Sequence, residues 1–359
     1  MTKPLFSPSG FRDLVSGRRR GLGATLWRAG LRAVEVPYTL VVGWRNRRYD
    51  SRPGLVHDVS VPVVSVGNLT LGGTGKTPMV RWIAQWFCGH QVRVAIISRG
   101  YGAQAGEQND EALELEQTLP DVPHLENPDR VEAARAAVEE FESQLIVLDD
   151  AFQHRRIDRQ LDVVLLDALE PFGFGHVFPR GTLREPVAGL RRADVVVLTR
   201  ADMLEAGRRD ELRRQVACYA PKAVWAEVTH APKSLLAADG RQEPLDEFRG
   251  KRVAAFCGIG NPAGFQHTLR TCGYELVAFR EFADHHGYQR QDVESLDAWA
   301  DGLDVAAVLT THKDLVKLGV DRLGRHPLRA VAIGLDFVAG QAEMEAALEL
   351  LLPGDDGVS

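Results

Sequence analysis

Short apolar runs recur along the chain, and most do not alternate with polar residues. Residues 61–66 (VPVVSV), 92–98 (VRVAIIS), 145–148 (LIVL), 161–166 and 195–198 read as strands covered on both faces, because a strand with one wet face would alternate. Between them lie segments with helical spacing, at 79–87 and 129–142. Strand, helix and strand in succession predict a mostly parallel sheet with right-handed crossovers and helices on both faces. Ligands in such a sheet lie at the carboxyl ends of the strands. Residues 231–250 break the pattern, being polar and turn-rich, and read as a connection. Beyond it, 253–258, 275–279, 305–311 and 329–335 alternate with helix-like stretches and close with a helix at 341–352, a second and smaller α/β domain. The expected organisation is a segment 1–50, a domain 51–230, the connection 231–250 and a domain 251–359.

The first segment has its own character. If residues 22–35 are helical, Leu22, Leu26, Ala29 and Ala33 share one face, Trp27, Leu31 and Val34 widen it, and Arg28, Arg32 and Glu35 lie opposite. Charge sharpens this picture: residues 1–50 carry ten Arg or Lys, including the run Arg18-Arg19-Arg20, against three acids, in a chain of net charge -6. A broad apolar face edged by arginines suits the plane of an anionic membrane surface. It equally suits a helix packed on its own domain with a solvated basic edge. The acidic balance of the whole argues against a general nucleic-acid binder. The chain has 359 residues, 45% of them apolar, enough for two cores. Its four cysteines, Cys88, Cys218, Cys257 and Cys272, have no metal-ligand spacing. Together with the lack of a cleavable signal pattern they suggest a reducing, cytosolic setting. No stretch is apolar enough for a standard membrane span.

Candidate chemistry begins at GNLTLGGTGKTP, residues 67–78, between the first strand and the first helix. Backbone N–H groups of Thr70, Leu71, Gly72, Gly73, Thr74, Gly75, Lys76 and Thr77, with the helix dipole behind them, form a cradle for a phosphate chain. Lys76 would reach the β- and γ-phosphates, and the Thr77 hydroxyl would ligand Mg²⁺. The phosphate-loop pattern G-x-x-x-x-G-K-[ST] asks for Gly where this chain has Thr70.

Other candidates lie downstream. The strand at 145–148 runs into Asp149-Asp150, which places carboxylates where one can serve Mg²⁺ and the other can orient Lys76 or Thr77. Asp110 lies in the polar loop Asn109-Asp110-Glu111, where a carboxylate points either at the phosphates or into solvent. Residues 171–186 form a long Pro/Gly-rich loop, a common form of functional segment. The roles of its Arg180 and Arg184, and of Arg155 and Arg156 before it, stay open between phosphate contacts and surface ion pairs. Thr199-Arg200-Ala201-Asp202 is like the [NT]-K-x-D base-recognition element with Arg in place of Lys. Asp284-His285-His286 suits a metal site, an acid/base pair or plain polar surface. A two-metal phosphoesterase would need further aspartate motifs that the chain lacks.

Taken together, SVGNLTLGGTGKTP, SRGY, LDDAFQHRR, FPRGTLREP, the TRAD element and FADHHGY resemble the tetraacyldisaccharide 4′-kinase (lipid A 4′-kinase) family over almost the whole chain. The resemblance implies a P-loop NTPase-type nucleotide domain, a loop that tolerates Thr at position 70, and transfer of the γ-phosphate of ATP to the 4′-hydroxyl of a lipid A disaccharide 1-phosphate. It implies work at the cytoplasmic face of the inner membrane, as a peripheral or monotopic protein with Mg²⁺ as cofactor. By the same resemblance Asp110 is the catalytic carboxylate, His285 supports it, and Asp284 orients the histidine. The rival of another class is a P-loop switch or maturation factor that couples nucleotide hydrolysis to a protein partner.

Overall fold

The computed structural model describes residues 8–100, 115–116, 118–283 and 286–353. Packing divides the chain into one unit of Met1–Arg99, Leu125–Thr229 and Asp336–Ser359 and another of Gly100–His124 and His230–Leu335. In the first, helices α1 (Pro8–Val15) and α2 (Leu22–Ser51) precede β1 (Val63–Asn68), α3 (Lys76–Gly89), β2 (Val94–Ser98), β3 (His124–Glu126) and α4 (Arg130–Glu139). Then come β4 (Leu145–Asp149), β5 (Leu161–Asp167), β6 (Val195–Thr199), α5 (Ala206–Ala217) and β7 (Val224–Leu236). The strands lie in the order β6-β5-β1-β4-β2-β3, and the start of β7 pairs with β6. The pairings β1–β4, β1–β5, β2–β4, β5–β6 and β6–β7 are all parallel.

The unbroken apolar runs are explained by what covers them. Ile146 and Leu148 pack with Val131 and Ala134 of α4, and further along the same face Val164, Leu166, Val196 and Leu198 pack with Leu212 and Val216 of α5. Register brings the strand ends together. Val66 lies opposite Asp149 and Asn68 opposite Leu165, so the carboxyl ends of β1, β4 and β5 finish side by side.

Helix α2 is built the other way round. It continues well past residue 35, through Pro37, to Ser51, and its buried residues are Ala24, Glu35, Val42 and Asn46. The apolar stripe faces outward: Leu22 is 87% exposed, Leu40 68% and Trp44 63%. Of the residues that the periodicity set opposite the apolar face, Glu35 is buried and Arg28 partly so, while Arg32 is exposed. What keeps the helix in place is therefore polar. Glu35 Oε1 accepts from Val177 N at 2.9 Å, Asn46 Nδ2 donates to Glu185 Oε2 at 2.9 Å, and Arg155 donates to Asn46 O at 2.9 Å and pairs with Asp50 at 2.7 Å. Among the described residues, no helix is long and apolar enough to cross a membrane.

The second unit holds β8 (Gln242–Glu243), β9 (Arg252–Cys257), α6 (Pro262–Thr271), β10 (Glu275–Glu281), α7 (Arg290–Asp301), β11 (Ala307–Thr311), α8 (His312–Leu318), β12 (Arg322–Leu323) and most of β13 (His326–Ala339). Its parallel strands run in the order β10-β9-β11-β13. Phe265 and Leu269 of α6 cover one face, and Leu296 and Ala300 of α7 the other. Residues 231–250, which the sequence suggests as a connection, hold the end of β7 paired antiparallel to β8, with Leu235 and Leu236 buried. The chain then returns to the first unit with the end of β13 and α9 (Gln341–Glu349).

Candidate active site

The glycine loop leaves β1 at Asn68 and enters α3 at Lys76. Gly75, at φ 82°, makes the turn into the helix, a conformation that a Cβ would strain. Gly75, at the N-cap of α3, offers no side chain to the first-turn N–H groups, which gather at the positive end of the helix dipole. Inside the loop Asn68 Nδ2 donates to Thr74 Oγ1 at 2.9 Å and to Gly72 O at 3.4 Å. Thr70 is absent from the left-handed positions, so this site does not require Gly. Its stretch of backbone is pinned instead: Leu71 N donates to Thr182 O and Arg184 N to Leu69 O, both at 2.7 Å. At the root of the loop a Cβ on Gly67 would come within 2.6 Å of Phe152, so β1 and the segment after β4 are packed backbone to side chain.

Asp149 and Asp150 do not sit as alternating strand residues. Asp149 is the last residue of β4 and is buried, whereas Asp150 has left the strand with φ 48°. That turn aims Asp150 at two cations. Its carboxylate accepts from Arg184 NH1 at 2.8 and 2.9 Å and stands 3.5 Å from Lys76 Nζ. Burial alone would raise its pKa, but the charges of Lys76 and Arg184 hold it below the ordinary carboxylate value. Arg130 supports the turn from beneath, donating to the carbonyls of Asp149 at 2.6 Å and Asp150 at 3.2 Å.

Four arginines left open by the sequence now separate. Arg184 joins the carboxylate beside Lys76, Arg155 holds α2, Arg156 pairs with Asp129 at 3.2 Å, and Arg180 donates to Val15 O at 3.0 Å. Four further residues, Glu185, Gln153, Arg192 and His154, carry no role in the sequence reading. Glu185, fully buried, accepts from Gln153 Nε2 at 3.0 Å and pairs with Arg192 at 2.8 Å, and Gln153 also donates to Asn68 O at 3.0 Å. A fully buried glutamate in a loop leaves no mark in a periodicity pattern; only the RGTLRE motif around it could have pointed there. His154 is pushed down to about 4 by burial and by Arg130, Arg159 and Arg156, so it is neutral at physiological pH.

Of the other candidates, Asp110, Asp284 and His285 lie outside the described residues. His286, beside them, is held: its Nε2 is 3.1 Å from Asp292, and Lys317 donates to its carbonyl at 3.3 Å. Tyr288 donates to Asp314 Oδ1 at 2.9 Å, and that buried carboxylate also accepts from Gly258 N and Thr311. In the TRAD element, Arg200 pairs with Asp167 and donates to Gly73 O at 3.3 Å.

Comparison with known proteins bears on what this arrangement serves. Residues 27–352 match the tetraacyldisaccharide-1-P 4′-kinase family. The tetraacyldisaccharide 4′-kinase of Anaeromyxobacter sp. (strain K) is 40% identical, over 96% of each chain, and that of Geobacter sulfurreducens is 36% identical, over 96% of this chain and 100% of its own. A crystal structure of LpxK from Aquifex aeolicus in complex with ATP superposes with a TM-score of 0.73 at 27% identity, over 91% of this chain and 100% of the other. A match of that length and identity, on a chain with a glycine loop closed by Lys76 and a carboxylate pair at the neighbouring strand end, settles the family: this chain belongs to the tetraacyldisaccharide-1-phosphate 4′-kinases.

Proposed function

We propose that the loop from Thr70 to Thr77 holds the triphosphate of ATP in an ATP-dependent kinase that phosphorylates the 4′-hydroxyl of a tetraacyldisaccharide 1-phosphate, a step of lipid A biosynthesis. The observation that carries the loop's part is the array of Lys76, Asp150 and Arg184 at the uncapped start of α3. Two cations held by one carboxylate suit the oxygens of a transferring phosphoryl group, where charge shifts during the reaction. Asp150 keeps Lys76 in place, which leaves Asp149 and the Thr77 hydroxyl as the ligands of Mg²⁺. The donor set, hydroxyl and carboxylate oxygens, fits that ion. When bound, Mg²⁺ neutralises the β- and γ-oxygens.

The acceptor hydroxyl is a poor nucleophile, and a loose transition state asks only for late proton removal and good positioning. Asp110 is the proposed acceptor of that proton, with His285 supporting it and Asp284 orienting the histidine; family resemblance supports these three assignments. The substrate is a lipid, and the outward apolar stripe of α2 from Leu22 to Trp44 supports docking on an anionic bilayer without spanning it. The proposed location is the cytoplasmic face of the inner membrane. The catalytic reading is tested with Lys76→Ala and Asp110→Ala: both should lose phosphoryl transfer while keeping the thermal unfolding of the parent, and near-normal turnover in either would remove that residue from the mechanism. The bilayer reading is tested by co-sedimentation with anionic vesicles, which should weaken with salt and with Arg18, Arg19 and Arg20 changed to Ser. Binding insensitive to both would remove the electrostatic part.

A further inference from the structure

Helix α1 precedes the residues 27–352 that match the family, yet it is built into the nucleotide unit. Leu14 and Val15 are buried, and the Phe11 ring lies 6.3 Å from that of Phe178 in the loop 171–186. The last carbonyls of the helix are held as well. Arg28 of α2 donates to Leu14 O at 3.4 Å, and Arg180 of the loop donates to Val15 O at 3.0 Å. The same loop grips the glycine loop, since Leu71 N donates to Thr182 O at 2.7 Å. Docked in this way, α1 presents Arg12 to the phosphate seat: a Cβ built on Gly72 would stand 3.9 Å from Arg12 NH2.

Arg12 is only loosely held there. It pairs with Glu170 at 3.4 Å, and its side chain is 58% exposed, so solvent screens the contact. Glu170 is itself a poor counter-ion. Burial, helped by the charge of Asp167, pushes its carboxyl above the ordinary value, against a hydrogen bond from Thr182 and the charge of Arg12. A triphosphate is the stronger anion, and a guanidinium meets its oxygens with a planar fork of donors. Lys76 and Arg184 share the Asp150 carboxylate, whereas Arg12 reaches the loop from a different element. In P-loop enzymes a guanidinium brought to the γ-phosphate from outside the loop stabilises the charge of the transition state.

We propose that Arg12 is an arginine finger supplied by the chain's own first helix: it exchanges Glu170 for the γ-phosphate when ATP fills the glycine loop. The inference rests on the reading of residues 70–77 as the seat of the triphosphate. It assigns Arg12 a contact that ATP has and ADP lacks, and this separates it from any effect on the loop as a whole.

The experiment is calorimetric titration of the full chain, in Mg²⁺, with two probes: ADP, and an ATP analogue whose β,γ-bridging atom is nitrogen and which resists transfer. Arg12→Ala should raise Kd for the analogue about tenfold, the scale of one lost hydrogen bond to a charged group, and leave Kd for ADP within about twofold. Because the side chain is exposed, thermal unfolding should match the parent. With ATP and the lipid acceptor, kcat should fall on the order of 10²-fold. Glu170→Gln removes the competing charge, so the analogue should bind as tightly as to the parent or more tightly. Equal weakening of both probes in Arg12→Ala would show that the arginine only shapes the glycine loop, and unchanged binding of both would leave it a partner of Glu170 alone. Either result overturns the finger. Weaker binding of the analogue to Glu170→Gln would overturn the exchange. If Lys76→Ala binds both probes as the parent does, the phosphate seat falls, and this proposal with it.

Discussion

Helices α2 and α3 belong to the same unit and are held by opposite means. Helix α3 turns Met79, Val80, Ile83, Ala84 and Phe87 into the core, in the ordinary manner of a helix over a parallel sheet. Helix α2 turns Glu35 and Asn46 inward and leaves Leu22, Leu26, Leu40, Val41 and Trp44 outside. The same amphipathic pattern thus has two solutions, and only one of them ends in the protein's own core. Burial of side chains fixes α3 and with it the position of Lys76. Hydrogen bonds hold α2, and its apolar side stays exposed among the described residues.

The comparison can be broken at either helix. The largest effect should come from Phe87→Ala, which leaves a cavity under α3 and should cost about 3–5 kcal/mol of unfolding free energy, read from denaturant titration. A loss below about 1 kcal/mol would mean that α3 is not held by its core contacts. Glu185→Ala comes next. It strips Asn46, Gln153 and Arg192 of a fully buried partner, and should cost about 3 kcal/mol while Glu185→Gln costs less. Equal costs for the two would show that the charge of Glu185 is not what binds α2 to the loop.

The smaller effects sharpen the contrast. Leu26→Ser with Leu40→Ser should change stability by less than about 0.5 kcal/mol, as exposed positions do, yet reduce sedimentation with vesicles severalfold. A large stability loss would place those side chains in a core after all. The least effect is one of pH. Burial tends to raise the pKa of Glu35, but hydrogen bonds from Arg32 and Val177 N, with the charges of His176 and Arg32, hold it below its ordinary value of 4.5. A carboxyl lowered on folding contributes stability above its unfolded pKa, and that contribution is lost as pH falls through the lower folded value. Glu35→Gln should therefore lower stability modestly at neutral pH and flatten the acid limb of the stability profile, the two proteins converging as pH falls. An unaltered acid limb would mean that Glu35 does not tether α2.

Much of this was legible in the chain. Val63–Asn68, Leu145–Asp149, Leu161–Asp167 and Val195–Thr199 appear where unbroken apolar runs predicted strands, because a strand buried on both faces must be apolar at every position. The glycine loop was legible because a phosphate cradle needs small residues in order. The orientation of α2 was not: periodicity gives two faces but not which one meets the protein, and only the partners Val177 N and Glu185 decide it. Nor did the pattern carry the helix beyond residue 35, since Pro37 removes one backbone donor and ordinarily ends such a run. The strand β7 ran on past residue 230 because its partner β8 is made by residues that look like turn. In the site, Asp150 was found but not its direction. A φ of 48° sends it towards Lys76 and Arg184, and no residue spacing reports a single left-handed turn.

The most direct test of the central claim is one incubation of the full chain with labelled ATP, Mg²⁺ and a tetraacylated disaccharide 1-phosphate in detergent, following both ADP and labelled lipid. Labelled bisphosphorylated disaccharide should form in step with ADP, and Lys76→Ala should reduce both by on the order of 10²-fold or more. ADP formed at the same rate with and without the lipid, and no label on the disaccharide, would contradict the account and leave a nucleotide hydrolase in its place.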